Sequence, residues 1–319
     1  MAKHALLSDI HANLEALVAV YRDFARIDGL RSVVSLGDLV GYGPNPAEVV
    51  TGLNSLAKKG YTVSYCLGNH DGAALGRFEF VDVRDPRDLE RHANEAGLRS
   101  LEAITRQYRD VQRSKFIPVS LNAKVSVLWT RERLAEPYRQ FLLAQSQEHC
   151  VLGDGVICIH GSPRDPYFDY VMSVRRARRA MEAPLMAGVV LCFVGHTHIP
   201  GAWQLPADQV VSFAGNTVVM HDPRIISLAG IKLDLDATVT MINIGSVGQP
   251  RDGDPRAAYA VYDDVEQTVE LRRVAYDIAA TQQKIIAAGL PKSLAERLAG
   301  ARGEKTVVEE SPAEEDSGQ

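Results

Sequence analysis

Five short apolar segments of the chain each end in residues that can bind a metal ion, and this repetition constrains the fold more than any other feature. The segment ends read SDIHAN from residue 8, GD from residue 37, GNHD from residue 68, HG from residue 160 and GHTH from residue 195. In an open α/β sheet, ligands gather beyond the carboxyl ends of the strands. We therefore expect the five ends to meet at one place.

The first part of the chain alternates between strand and helix patterns. After the first apolar segment, Asn13 is a favourable N-cap for a helix over residues 13–26, where apolar side chains recur at helical spacing. A strand over 32–36, a helix over 47–58 and a strand over 61–67 follow. This order is typical of parallel βαβ units and predicts an α/β fold.

Residues 77–150 interrupt the alternation, and we interpret them as a helical cap insertion beside the site. Asp85-Pro86 resembles a helix start, and a helical pattern continues to about Tyr108. Residues 129–143 are again helical in pattern.

The rest of the chain predicts a second sheet and two closing helices. Buried strands are expected at 155–159 and 189–194, a helix at 173–183 between them, and β-hairpin material at 203–220. The short strands expected to form the second sheet lie at 239–244, 259–262 and 268–274. Helices are predicted within 276–300. We expect one domain over residues 1–303 and an acidic, flexible tail over 304–319.

Composition narrows the class of protein. The 319 residues carry a net charge of -5, so no global basic field draws the chain to nucleic acid. No apolar run approaches the length of a membrane span, and no signal segment begins the sequence. The cysteines form no C-x-x-C pair, which predicts free buried thiols in a cytoplasmic protein; they are Cys66, Cys150, Cys158 and Cys192. The oligomeric state is not predicted.

The strand ends offer seven potential metal donors, namely Asp9, His11, Asp38, Asn69, His160, His196 and His198. A tetrahedral zinc typically takes about four ligands. Seven suit two ions about 3.5–4 Å apart that share a carboxylate. The mixture of carboxylate, amide and imidazole without thiolate favours Mn, Fe or Zn. In His196-Thr197-His198, as in Asp9-Ile10-His11, an extended backbone would send the two ligands to the same side.

The order D-x-H, G-D, G-N-H-D, H-G, G-H-T-H resembles the calcineurin-like metallophosphoesterase family. The flanking stretches SDIHANLEAL, GDLVGYGPNPAEVV, HGSPRDP, GHTHIP and NIGSVGQPRDGDPRAAY resemble its YfcE-like and diadenosine-tetraphosphatase-like bacterial branch. The resemblance covers residues 4 to about 300, with a gap at 77–120. It implies a four-layer α/β/β/α sandwich with the site at strand ends of both sheets.

The resemblance also implies a role for each donor. One ion would be held by Asp9, His11 and His198. The other would be held by Asn69, His160 and His196, with Asp38 bridging the two. His70 resembles the family's general acid, which protonates the departing oxygen while a metal-bridging hydroxide attacks phosphorus in line. Asp71 would orient His70, or else form a salt bridge at the start of the following helix.

One stretch departs from the protein Ser/Thr phosphatases of this superfamily, which carry G-D-x-V-D-R-G. Here Gly41 replaces the Asp that partners the catalytic histidine, and Tyr42 replaces a phosphate-binding Arg. We therefore expect substrate contacts from Tyr42, Arg164 and Arg251. A structural turn with solvated arginines is the alternative interpretation of the loop around Arg251.

These observations predict a dinuclear metal-dependent phosphoester hydrolase. Its expected substrates are small phosphodiesters or nucleotide polyphosphates such as diadenosine tetraphosphate. The alternatives are a protein Ser/Thr phosphatase and a non-catalytic metal-binding scaffold of the same fold. A nuclease would need a basic groove, which the charge balance does not favour.

Overall fold

Two β-sheets packed face to face form the centre of the fold. The computed structural model describes residues 2–82, 116–213 and 216–303. The described strands are, in chain order, β1 (Lys3–Leu7), β2 (Leu30–Ser35), β3 (Thr62–Cys66), β4 (Glu79–Asp82), β5 (Phe116–Val119), β6 (Ser146–Gln147), β7 (His149–Gly153), β8 (Val156–Ile159), β9 (Leu191–Val194), β10 (Gly201–Pro206), β11 (Val210–Phe213), β12 (Asn216–Val219), β13 (Arg224–Ile225), β14 (Ile231–Lys232), β15 (Thr238–Asn243), β16 (Ala257–Asp263) and β17 (Thr268–Val274). The described helices are α1 (Leu14–Phe24), α2 (Pro46–Ala57), α3 (Asn69–Ala74), α4 (Leu121–Arg133), α5 (Glu136–Gln145), α6 (Val174–Met181), α7 (Ile278–Ala287) and α8 (Lys292–Gly300).

The first sheet has the strand order β14-β17-β16-β1-β2-β3-β6, and the second has the order β13-β10-β15-β9-β8-β7. Strands β1, β2 and β3 are parallel neighbours, and so are β8, β9 and β15. The predicted metal donors follow the carboxyl ends of β1, β2, β3, β8 and β9. Both sheets therefore contribute to one site.

Four layers bury the core. The inner faces of the two sheets meet through apolar side chains that include Leu6, Val34, Cys66, Cys158, Phe193 and Ile242. Helices α1 and α2 cover the outer face of the first sheet, where Phe24 and Leu53 are fully buried. Helix α6 covers the outer face of the second sheet through Ala177 and Met181. The predicted α/β/β/α sandwich is confirmed.

The described part of the insertion packs together with the two C-terminal helices. Strands β4 and β5 form a parallel pair, and α4 packs beside them. The indole N–H of Trp129 in α4 donates to the carbonyl of Ala288, 3.0 Å away. Side chains of α4, α7 and α8 share one apolar cluster with Tyr42 and Phe80. The helix predicted from Asp85 to Tyr108 and the tail at 304–319 lie outside the described residues.

Strand assignment differs from the sequence-based expectation at two places. We expected β16 and β17 in the second sheet, but β16 pairs antiparallel with β1 and places β17 beyond it in the first sheet. We also expected β-hairpin material over 203–220, but β10 pairs with β15 and β13, and within that span β11 and β12 pair antiparallel with each other. Alternating apolar residues mark a strand without specifying its partner, because β1 and β16 lie more than 200 residues apart in sequence.

All four cysteines are buried and free, as predicted. None of the helices in the described ranges combines the length and hydropathy that a bilayer span requires.

Candidate metal centre

The loops that carry the predicted ligands have a left-handed backbone. The φ angles are 53° at Asp9, 49° at His11, 53° at Asp38, 66° at His196 and 61° at His198. Non-glycine residues seldom adopt such angles, and where they occur they concentrate at functional sites. We had expected an extended, alternating backbone at Asp9-Ile10-His11 and at His196-Thr197-His198. These φ angles show that this expectation was wrong. Turns, rather than the alternation of a strand, orient these side chains.

Hydrogen bonds between the strand ends maintain this conformation. The backbone N–H of Asp9 donates to Gly37 at 3.0 Å, and that of His11 donates to Asp38 at 2.9 Å. The N–H of His196 donates to Asp9 Oδ2 at 3.0 Å, which ties the second sheet to the first. These bonds fix the backbone of the loops that carry the predicted ligands.

Backbone carbonyls select the tautomer of three histidines. The Nδ1 atoms of His11, His160 and His198 lie 3.1, 3.0 and 2.7 Å from the carbonyl oxygens of Val40, Leu36 and Gln249, respectively. A carbonyl can only accept, so each Nδ1 carries the proton. Burial lowers the pKa of all three rings, to about 4 for His198, so each Nε2 keeps its lone pair.

These lone pairs converge with carboxylate oxygens in a first cluster. Nε2 of His11 lies 3.2 Å from Nε2 of His198, which itself lies 3.1 Å from Asp9 Oδ1. With both Nδ1 atoms protonated, no hydrogen is left to join the two Nε2 atoms. Asp9 Oδ1 is buried and has no hydrogen-bond partner among the described residues. A cation bound between Nε2 of His11, Nε2 of His198 and Oδ1 of Asp9 would give each of these atoms a partner.

A second cluster lies beside the first. Nε2 of His160 lies 3.0 Å from Asn69 Oδ1 and 3.1 Å from His196 Nδ1. The Nε2 atom of His196 is buried, with no hydrogen-bond partner among the described residues. Asp38 Oδ2 lies 3.5 Å from His160 Nε2 and 3.6 Å from His11 Nε2, so this oxygen reaches both clusters. All seven predicted donors are thus brought together.

The electrostatics of the carboxylates agree with a cation site. Burial raises the pKa of Asp38 well above its usual value, and the nearby Asp71 and Asp9 raise it further. At Asp9 burial opposes ionisation, but the neighbouring histidines outweigh it and bring the pKa well below its usual value. A bound cation would favour both carboxylates in their ionised form. Oxygen and imidazole donors without thiolate fit Mn, Fe or Zn.

His70 lies at the same centre. A ring nitrogen of His70, one of His11 and an oxygen of Asp38 lie within 4.8 Å of one another. Burial lowers the pKa of His70, and the positive charges of Arg251 and Arg297 lower it further. Gly41 has φ +86°, and a Cβ there would lie 2.5 Å from His70 Nδ1. An aspartate at position 41 would therefore require the His70 ring to move from its present position.

Asp71 contacts backbone groups. Its Oδ1 accepts from the N–H of Val40 at 3.0 Å, and its Oδ2 accepts from the N–H of Gly68 at 3.2 Å. Its carboxylate is fully buried, and burial raises its pKa to about 6. Asp71 therefore braces the two loops that carry Asp38 and Asn69, in place of the direct contact with His70 or the salt bridge that we expected.

The three predicted substrate-binding residues differ in their position relative to the metal centre. The ring of Tyr42 lies 4.6 Å from that of His11 and 4.3 Å from that of His70. Arg251 is close enough to affect the pKa of both histidines. Arg164 is half exposed, with its Nε 4.0 Å from Asp169 Oδ2.

Two further residues at the site were missed in the sequence. The ring of Tyr170 lies 4.0 Å from that of His196, and the guanidinium of Arg297 lies 4.3 Å from the ring centre of Tyr42. Neither follows a strand-end motif. Tyr170 lies in the loop after β8, and Arg297 lies in α8, so no local signal marks them.

Comparisons with known proteins agree with this arrangement. Residues 2–267 match the calcineurin-like phosphoesterase superfamily domain. The uncharacterized protein MJ0912 of Methanocaldococcus jannaschii is 32% identical over 305 residues, covering 92% of this chain and 96% of that protein.

Solved structures extend the similarity to the fold. The crystal structure of a metallophosphoesterase from Sphaerobacter thermophilus is 33% identical with a TM-score of 0.64, over 94% of this chain and 98% of that one. The hypothetical protein PH1004 from Pyrococcus horikoshii OT3 shares the fold at 17% identity and a TM-score of 0.64, over 95% of this chain and 99% of that one. The resemblance seen in the motifs is confirmed, and the chain belongs to the calcineurin-like phosphoesterase superfamily, a family of metal-dependent phosphoester hydrolases.

Proposed function

We propose that this protein is a dinuclear metal-dependent phosphoesterase that acts on phosphodiesters or nucleotide polyphosphates. The position of Asp38 carries the proposal, since its Oδ2 lies 3.6 Å from a nitrogen of one donor cluster and 3.5 Å from a nitrogen of the other. Asp9, His11 and His198 would hold one cation, and Asn69, His160 and His196 would hold the second. Two bound cations would neutralise charge on phosphoryl oxygens and lower the pKa of water.

The protein's own side chains would position the substrate and move the proton. Arg251 would bind a phosphoryl oxygen, because its guanidinium is charged and its Nε is buried with no hydrogen-bond partner among the described residues. His70 would give a proton to the departing oxygen. Its pKa is low in the free enzyme, but an anionic phosphate bound beside the ring would raise it again.

The surroundings of His70 favour small substrates over phosphoproteins. Tyr42 occupies the position of a phosphate-binding arginine, and its ring packs against His70. Tyr170, beside His196, offers an aromatic face at the mouth of the site, where a nucleobase or aryl leaving group could stack.

We expect Mn²⁺-dependent hydrolysis of bis-p-nitrophenyl phosphate and of diadenosine tetraphosphate. Turnover of a phosphopeptide should be at least about 100-fold slower in kcat/KM, a difference of ~2.7 kcal/mol in transition-state stabilisation. The measurement is a panel of these substrates with cyclic nucleotides, before and after chelation and with Mn²⁺ restored. Preference for the phosphopeptide would favour a protein phosphatase. Mn²⁺ binding without turnover of any substrate would indicate a scaffold.

Replacing His70 should slow substrates in proportion to the basicity of their leaving group. We expect His70→Gln to lower kcat about 100-fold for a cyclic nucleotide, which releases a strongly basic ribose alkoxide, but less than about tenfold for bis-p-nitrophenyl phosphate, because p-nitrophenolate departs without a proton. Steady-state kinetics with both substrates checks this. The matched control is His149→Gln, which changes a histidine of β7 outside the centre and should alter neither rate. An equal loss on both substrates would contradict the role of His70 as general acid.

A further inference from the structure

We propose that Phe80, held in place by Arg131, positions the ring of His70 in place of a hydrogen-bonded aspartate. The inference rests on the proposed function, because it concerns the group that would give a proton to the departing oxygen. Phe80 lies in β4 and Arg131 lies in α4, so both belong to residues 77–150. The inference therefore gives this segment a part in catalysis.

The ring of His70 has no hydrogen bond at Nδ1. This atom is buried and has no partner among the described residues. A Cβ at Gly41 would lie 2.5 Å from it, so Nδ1 faces the position at which the protein phosphatases carry an aspartate. The backbone N–H of His70 donates to Asp38 Oδ1 at 2.8 Å, which fixes the main chain but not the side-chain torsions. Packing therefore has to orient the imidazole.

Three rings pack around this imidazole. The ring centre of Tyr42 lies 4.3 Å from that of His70, the centre of His11 lies 4.9 Å away, and the centre of Phe80 lies 5.1 Å away. The planes of Phe80 and His70 meet at 89°, the edge-to-face arrangement that aromatic pairs prefer. Phe80 is itself buried, so its ring restricts the rotation of the imidazole.

Arg131 joins the segment that contains Phe80 to α3, the helix that contains the imidazole. Its Nη2 donates to the carbonyl of Ala73 in α3 at 2.6 Å and to that of Phe78 at 3.4 Å. Its Nη1 donates to Glu79 Oε1 at 3.3 Å. Phe80 is the next residue, and α3 has only six residues. One guanidinium group therefore fixes the two partners of the aromatic pair relative to each other.

Further contacts hold the same segment against α3. A Cβ at Gly72 would lie 2.3 Å from a ring carbon of Phe78, so this ring packs directly on the helix backbone. Arg139 of α5 donates from Nη1 to the carbonyl of Ala74 at 3.4 Å. The contacts of Arg131 thus belong to a packed interface between α3 and residues 77–150.

The test compares kcat for a cyclic nucleotide and for bis-p-nitrophenyl phosphate with saturating Mn²⁺. A misplaced imidazole should slow only the substrate whose leaving group needs a proton. We expect Arg131→Met to lower kcat about tenfold for the cyclic nucleotide and less than about twofold for bis-p-nitrophenyl phosphate. Phe80→Leu should cause the same selective loss. Arg131→Lys should recover part of it, because lysine keeps a charged donor for the carbonyl of Ala73.

Arg133→Met is the matched control. Arg133 is an exposed arginine of the same helix and pairs with Glu132, which is also exposed. Its replacement should change neither rate.

A double-mutant cycle with His70→Gln distinguishes positioning from a general effect on the fold. In that background, Arg131→Met should lower kcat for the cyclic nucleotide by less than about twofold, because the ring through which it acts is already absent. The free energy of unfolding of each variant is measured alongside, because a purely structural role would lower stability and slow both substrates equally.

The outcomes separate this inference from the function on which it rests. If the wild-type enzyme hydrolyses no phosphoester with Mn²⁺, or if His70→Gln slows both substrates equally, the proposed function or its general acid fails, and this inference fails with it. If His70→Gln is selective but neither Arg131→Met nor Phe80→Leu is, the inference alone is wrong. Equal losses on both substrates that add to the effect of His70→Gln would show that Phe80 and Arg131 only support the fold.

Discussion

Asp38→Asn should abolish turnover of every phosphoester substrate, with kcat falling at least about 10⁴-fold, or ~5.4 kcal/mol in activation free energy. The reason is that the two carboxylate oxygens of Asp38 have different partners. Oδ1 accepts a hydrogen bond from the N–H of His70 at 2.8 Å, while Oδ2 faces His11 and His160. In the variant, the amide oxygen would stay with His70 and the amide nitrogen would replace Oδ2. An amide NH₂ has no lone pair to offer a cation.

The measurements are kcat with saturating Mn²⁺, the number of Mn²⁺ ions bound per chain, and the free energy of unfolding. We expect at least one ion to be lost while the fold persists, since the amide matches the carboxylate in size. Asp263→Asn is the matched control, because that buried carboxylate accepts from the backbone N–H groups of Val265 and Glu266 outside the centre. An Asp38→Asn enzyme with full activity would refute the bridging role.

The sequence identified the donors but not the shape of the backbone that presents them. The donors were recognisable because each follows an apolar strand, and strand ends of one sheet edge must converge. The sequence did not indicate the left-handed φ angles at Asp9 and His196. Such angles are usually expected at glycine, and neither residue is a glycine. Tertiary hydrogen bonds from strands far away in sequence impose these angles.

Features that depend on long-range packing were also out of reach. The assignment of β16 to the first sheet follows from its pairing with β1, which the alternating pattern of either strand does not encode. The position of Arg297 beside Tyr42 depends on how α8 packs in the apolar cluster that it shares with α4 and α7. The histidine tautomers are selected by backbone carbonyls, such as that of Gln249. Every residue type has such a carbonyl, so the sequence could not indicate these contacts.

Gly248→Ala should lower the free energy of unfolding by about 3 kcal/mol, the upper end of the usual cost of overpacking. A Cβ at position 248 would lie 1.8 Å from the carbonyl oxygen of Ile10 and 2.5 Å from its carbon. These are backbone atoms, so no side-chain rotation can relieve the clash. The loop cannot withdraw easily, because the N–H of Gly248 donates to Asp9 at 3.0 Å and its carbonyl accepts from Asn13 at 2.9 Å.

The same substitution should also weaken metal binding, because Ile10 lies between two of the proposed ligands. A shift of the Ile10 carbonyl would displace Asp9 and His11 relative to each other. A displacement of about 1 Å is enough to disrupt the coordination geometry of a metal site. Urea unfolding without metal and the rise in melting temperature with Mn²⁺ measure the two effects separately. Gly300→Ala is the control, since among the described residues no atom outside the neighbouring backbone of its own helix lies within 4 Å of the added carbon, and the free energy of unfolding should not fall. If Gly248→Ala matches the wild type in both measurements, the close approach of this loop to the first strand end does not determine the geometry of the metal centre.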